Sequence, residues 1–273
     1  MQHMERVLLR AGTLDLSGRD EITNLPESLG GFGTLRVINL RSCTALQGLP
    51  ASIGKLGTLE ELNLAHCYAL PRVPPEVGLL NALRLLKLCW CRSLTELPGS
   101  LGQLSALQDL DLRWCKELKV LPRSLGQLAA LEKLQLQGCG SLTALPESLG
   151  RLERLKVLDL VCCFALTALP ESTVRMASLE RIDLDYCTSL KRLPCSLYCL
   201  PDTVQIHVQL LPDITFPPAG VVKAGTQAIR AFLLAHHVPL KMLLLILAAR
   251  RRRMRHLPAE LWALIRDEFF AFC

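Results

Sequence analysis

The chain has 273 residues, half of them hydrophobic, with 31 Lys and Arg against 25 Asp and Glu and a formal net charge of +6. That apolar fraction is too high for a disordered chain, so a large buried core is expected. The first ten residues, MQHMERVLLR, lack the apolar run and small-residue cleavage site of a secretory leader, so export is not expected.

From Leu14 onward one pattern governs the sequence. Proline recurs at Pro26, Pro50, Pro74, Pro98, Pro122, Pro146, Pro170 and Pro194, every 24 residues without a slip. In the unit LEELNLAHCYALPRVP, from Leu59 to Pro74, Leu62 and Leu64 flank a polar Asn63. That alternation predicts a short strand with one buried face. A fixed return of 24 residues brings each strand beside its predecessor in the same direction, so the strands pair in parallel. Cys67 follows the strand, where a small thiol suits a tight interior corner. Leu70 and Val73 then point back inward, and Pro74 ends the ladder. After the proline most units read x-Ser-Leu-Gly, as at Ser124, Leu125 and Gly126. The serine is expected to cap a short helical turn that carries Leu128 and Leu131 inward. No unit buries its leucines alone, so stability must come from stacking on neighbours.

The motif LPxSLGxLxxLxxLxLxxCxxLxx, complete from Leu97 to Leu118, resembles the leucine-rich repeat of plant intracellular immune receptors, the disease-resistance-like type. The resemblance runs from about Leu14 to Leu211. It implies an α/β fold: a leucine-rich repeat solenoid, or horseshoe, with parallel strands on a concave face that binds other molecules, usually proteins. Two departures, Thr173-Val174-Arg175 for Leu-Gly-x in the seventh copy and Tyr198 for glycine in the eighth, fall on the outer side. They are expected to alter local outer geometry and leave the fold intact.

Of the twelve cysteines, Cys43, Cys67, Cys91, Cys115, Cys139, Cys163 and Cys187 share one repeat position. Packing explains that regularity, so they are expected to be buried free thiols in a reducing compartment. Cys89-x-Cys91 and Cys162-Cys163 imitate metal-ligand spacing, but each pair projects to opposite sides of the backbone, so no zinc site is expected. No cofactor is expected either.

The first strand, Leu14 and Leu16, has Arg19 where later copies have cysteine, and the last, TVQIHVQLL, has Ile206 and Val208 24 residues after Ile182 and Leu184. Residues 1–212 are therefore assigned to the solenoid and 213–237 to a proline-rich exit and capping helix; 238–273 are assigned to basic, amphipathic helices. The middle segment, VVKAGTQAIRAFLLAHH, carries Ala228, Ile229, Phe232 and Leu233 at helical spacing and resembles the helix that closes some leucine-rich repeat domains. The run PLKMLLLILAA is shorter than the roughly 20 residues of a bilayer span and contains Lys241, so no membrane span is expected. From Val221 onward nine basic residues face three acidic ones, which accounts for the whole net charge of +6 and leaves the repeats neutral. Arg250, Arg251, Arg252, Arg253 and Arg255 read either as a nuclear-import or anion-binding patch or as a solvated helix end. From Pro258, Leu261, Leu264, Ile265 and Phe269 form an apolar stripe that needs a partner.

Between the inward leucines, the strand residues vary from copy to copy while the scaffold does not. The candidate partner-binding residues on this concave face are Lys87, Trp90, Asp109, Asp111, Arg113, Trp114, Lys133, Asp159, Arg181, Asp183 and Asp185. Trp90 and Trp114 occupy equivalent positions, about 5 Å apart by strand spacing. They read either as an interface hot spot, worth ~2 kcal/mol or more each, or as cover for the loop-side edge of the core. No nucleophile comes with a base and an orienting acid, and no phosphate loop is present, so enzymatic chemistry is not expected. The reading is a cytoplasmic, non-enzymatic scaffold that binds a protein partner, in signalling or immune-type recognition. The alternative is a substrate adaptor of a ubiquitin ligase. For it, Pro239, Leu240, Leu244 and Ala248 followed by Leu257-Pro258 are loosely similar to a SOCS-type box, and LPAELWALI to the start of an F-box. Nucleic acid is not expected as a partner, since only the arginine run would support it.

Overall fold

The computed structural model describes residues 9–10 and 12–236. Ten short strands lie in one sheet in chain order: β1 (Leu9–Arg10), β2 (Thr13–Asp15), β3 (Val37–Asn39), β4 (Glu61–Asn63), β5 (Leu85–Lys87), β6 (Asp109–Asp111), β7 (Lys133–Gln135), β8 (Val157–Asp159), β9 (Arg181–Asp183) and β10 (Gln205–His207). From β2 onward every pairing is parallel, and each residue faces the one a full repeat later, as Leu62 faces Leu86 and Leu86 faces Leu110. β1 runs antiparallel to β2.

Several strands end in a residue that ties down the turn after it. At this position an Asp or Asn folds back to accept the N–H two residues on: Asn63 from Ala65, Asp111 from Arg113 and Asp159 from Val161, each at 3.1 Å. Three residues beyond the strand, the backbone enters the left-handed region at Ser42, His66, Trp90, Trp114, Cys162, Tyr186 and Leu210, with φ between 52° and 65°. Gly18 and Gly138 fill the same position in their repeats.

That reversal aims the next residue, the repeated cysteine, into the core. All seven thiols are fully buried, and each donates to a carbonyl of the preceding repeat. Cys67 reaches Leu40, Cys115 reaches Leu88 and Cys139 reaches Leu112, each at 3.2 Å. Each of these carbonyls also accepts the N–H three residues on, as Leu40 does from Cys43 at 3.1 Å, so the thiol adds a second bond that ties one repeat to the next. Around it the repeated leucines form one continuous strip of core, with Leu62, Leu64, Leu86, Leu88, Leu110 and Leu112 entirely inaccessible.

On the outer side each proline from Pro26 to Pro194 opens a five-residue 3-10 helix, from Glu27–Gly31 to Cys195–Cys199. The expected serine cap is not found there. None of the turns has a side-chain cap from its own flanking residue, and the hydroxyls of Ser52, Ser124, Ser148 and Ser172 are buried without a hydrogen-bond partner. The free N–H groups are instead met from the preceding repeat. Glu27 accepts from Ala51 and Ser52 at 3.2 and 3.0 Å, and Glu147 accepts from Glu171 and Ser172 at 3.3 and 3.1 Å. The small residue this contact requires is the glycine that the serine meets. The serine lies against the glycine of the repeat before, so closely that a Cβ on Gly102, Gly126 or Gly150 would stand 2.1 to 2.3 Å from a serine carbonyl oxygen.

The seventh copy departs as its sequence does. Val174 stands where the glycine would be, buried Thr173 turns its hydroxyl back to the Pro170 carbonyl at 2.7 Å, and Ser196 bonds the Glu171 carbonyl at 3.0 Å instead of burying its hydroxyl. Beyond β10, a short helix (Ala219–Lys223) and a second over residues 226–236 close the last repeat. Thr226 Oγ1 both accepts from the Ile206 N–H and donates to the Ile206 carbonyl, at 3.0 Å, while Ile229 and Leu233 bury completely. Arg230 binds the carbonyls of Leu200 and Pro201 and the Asp202 carboxylate. The C-terminal helices expected over 238–273, with Arg250 to Arg253, Arg255 and the two ligase-docking motifs, lie outside the described residues. No described helix is long and apolar enough to cross a membrane.

Candidate binding face

Alternation along β3–β10 leaves three columns of side chains on the face opposite the core, and side-chain bonds, some between strands and some along one strand, hold many of them. Lys87 Nζ donates to Glu61 Oε1 at 3.1 Å and Gln135 Nε2 donates to Asp109 Oδ1 at 3.0 Å. Arg113 clamps Asp111 through Nε and a terminal nitrogen at 2.9 and 2.8 Å. Arg181 Nε and His207 Nδ1 each meet an oxygen of Asp183 at 2.9 Å.

These pairs sort the predicted residues by exposure. Asp111 and Asp183 are buried, at 4% and 7% exposure, so they fix the arginines above them and offer little surface to a ligand. Lys133 and Arg181 are exposed, while Lys87, Asp109, Arg113 and Asp159 are half-buried. Burial pushes the Asp159 carboxyl above the usual carboxylate range; the Val161 N–H opposes that shift and neighbouring Asp183 adds to it. Asp185 lies in the turn two residues past β9, with one carboxylate oxygen buried and without a hydrogen-bond partner.

Trp90 and Trp114 are not on strands. They occupy the left-handed turn, where they stack at 5.1 Å between ring centroids with 19° between planes. His66, one repeat earlier, stacks on Trp90 at 5.8 Å and 7°. Tyr68 meets the edge of His66 and bonds its Nδ1 at 3.0 Å, and the Arg92 guanidinium lies 5.0 Å from the Tyr68 ring and 5.1 Å from the Trp90 ring. The ladder ends at Gly138, where the absence of a side chain lets the Trp114 ring lean in. Sequence reasoning found the two tryptophans and missed His66, Tyr68 and Arg92. The signal was present, since positions 66, 90 and 114 are one column and 68 and 92 another.

The face holds little reactive chemistry. Burial pushes the thiol of Cys89, the column member nearest the ion pairs, up to about 11, the opposite of what a nucleophilic cysteine requires. Among the described residues no group of three or more His, Cys, Asp or Glu is placed to hold a metal ion.

No protein-family model and no curated protein matches this sequence. Among solved structures, the leucine-rich repeat domain of the type III effector XopL is 30% identical with a TM-score of 0.61, the match covering 74% of this chain and 68% of that one. A leucine-rich repeat protein of Leptospira interrogans is 25% identical with a TM-score of 0.48, covering 71% and 62%. The leucine-rich repeat ectodomain of the Arabidopsis thaliana receptor kinase GASSHO1/SCHENGEN3 is 23% identical with a TM-score of 0.49, covering 68% and 26%. The repeat motif, the parallel ladder in register and the match to the XopL domain agree, and this chain belongs to the leucine-rich repeat family.

Proposed function

We propose that the chain is a non-enzymatic interaction scaffold that binds a protein partner through its strand face, in intracellular signalling or immune-type recognition. The observation that carries this reading is the network of side-chain bonds on that face, part of it between neighbouring strands and part along single strands. Lys87, Arg113, Arg181 and Gln135 are already held by carboxylates before any partner arrives. Side chains fixed in advance lose less entropy on binding, so modest contacts spread over several repeats add to a useful affinity. Charged rim positions such as Lys133 then supply selectivity and steering.

Proximity labelling with the full chain identifies partners, and affinity capture with variants locates the surface they use. Combined Lys133→Glu and Arg181→Glu substitution is expected to weaken capture roughly tenfold or more, while Arg151→Glu on the outer turns leaves it unchanged. Equal recovery by all three proteins refutes binding through the strand face.

A further inference from the structure

Three successive repeats put a bulky ring at the left-handed position, His66, Trp90 and Trp114, at φ 64°, 65° and 62°. Glycine adopts that backbone freely, as Gly18 and Gly138 do, whereas a ring there is strained and persists only where its surroundings hold it. The rings hold one another, His66 on Trp90 and Trp90 on Trp114, so their faces are turned to the stack. What the stack carries outward is a cation. Exposed Arg92 lies 5.0 Å from the Tyr68 ring centroid and 5.1 Å from that of Trp90. Such contacts use the flat face of a guanidinium and leave the N–H donors in its plane free. Among the described residues Arg92 makes no ion pair and no side-chain hydrogen bond.

We propose that Arg92 reads an acidic side chain on the protein partner, and that Tyr68 and the His66–Trp90–Trp114 stack hold it in place for that contact. The inference rests on the scaffold reading above and names the chemistry of the partner. Charge around the stack selects it. On β4 to β6 every carboxylate is already engaged: Glu61 with Lys87, Asp109 with Gln135 and Asp111 with Arg113. Arg41 and Lys116 are exposed and, like Arg92, have no ion pair among the described residues. Lys116 follows Arg92 in the same column, one repeat on. Burial first, and then Arg41 and Arg92, hold the His66 imidazole below its ordinary value, so both guanidinium charges act at the stack. An incoming carboxylate therefore enters a positive field with one fork already fixed, and a fixed fork loses less entropy on pairing. A partner lysine or arginine would meet like charge there.

An array of short random peptides probed with the full chain is the test. Sequences it retains are expected to be enriched in Asp and Glu, and replacing those acids with Asn and Gln should weaken binding roughly tenfold or more. Arg92→Ala should weaken the acidic peptides by the same factor and leave their Asn and Gln counterparts unchanged, with an unfolding midpoint close to the parent's because the residue is exposed. Arg92→Lys keeps the charge without the planar fork and should restore only part of the loss. Arg154→Ala, the same change in net charge at an exposed position in another repeat, should alter nothing. Retained sequences with no excess of acids, or an excess that survives Arg92→Ala, overturn the proposal while the scaffold reading stands. If no peptide is retained the proposal also falls, and partner capture with Lys133→Glu and Arg181→Glu decides the scaffold reading separately.

Discussion

Gly126→Ala probes the contact between successive outer turns. A Cβ on residue 126 would stand 2.1 Å from the Ser148 carbonyl oxygen and 2.8 Å from the Ser148 Cβ. Ordinary contact begins at 3.4 Å, so the two turns must separate by about 1.3 Å. The obstructing atom is backbone, so no side-chain rotation relieves it, and the leucines on either side are already fully buried. Overpacking of this kind costs ~1–3 kcal/mol, and the better helix propensity of alanine returns at most ~1 kcal/mol. The expected net loss is ~2 kcal/mol, read as a lower guanidinium midpoint by circular dichroism with the slope unchanged. Gly99→Ala is the comparison, because a Cβ there meets nothing within 4 Å, and its expected effect is within ~0.5 kcal/mol of zero. If the two variants unfold at the same midpoint, the outer contact does not set the packing.

The buried thiols and the aromatic ladder give further tests. Cys139→Val removes one of two donors to the Leu112 carbonyl, which keeps the Cys115 N–H, and should cost ~0.5–1.5 kcal/mol, measured by the same unfolding assay. Burial pushes the thiols of Cys67, Cys139 and Cys187 up to about 12 from an ordinary value of 9.0. The unfolded chain therefore loses these protons first, and stability present below pH 9.0 is lost as pH rises toward 12. An unfolding midpoint that does not fall between about pH 8 and about pH 10.5 contradicts this reading. Gly138→Ala would place a Cβ 2.5 Å from the Trp114 ring at φ +75°, so it should destabilise the fold and shift tryptophan emission. In a Trp114→Ala background only the backbone strain of ~1 kcal/mol should remain, and strict additivity of the two changes refutes the contact.

The parts of the fold legible in the sequence are those that repeat within one unit. The 24-residue period set the strand register, and the alternation at Leu62-Asn63-Leu64 set which side is core. The thiol column was legible for the same reason. What the sequence hid are contacts between units. Ser124 reads as a cap from its own turn, but the cap comes from a glutamate one repeat earlier wherever that residue is present, as Glu147 serves Ser172. Asp111 and Asp183 read as exposed because they alternate with leucine. Their carboxylates instead fold down under Arg113 and Arg181, and backbone periodicity does not encode that choice of rotamer. The tryptophans were correctly placed side by side, yet only the left-handed backbone shows that their faces are occupied by each other and by His66.

The glycine and serine column has a geometric consequence for recognition. Hydrogen bonds pin neighbouring strands about 4.8 Å apart, whereas the spacing of the outer turns depends largely on how closely they nest. The ratio of those two spacings fixes the radius of the arc. At Gly102, Gly126 and Gly150 the turns nest so closely that an added Cβ would run into the next serine carbonyl. Val174 takes the place of that glycine in the seventh turn. Side chains added at those glycines would push the outer turns apart while the strand ladder held, and so would reshape the opposite face from residues outside it.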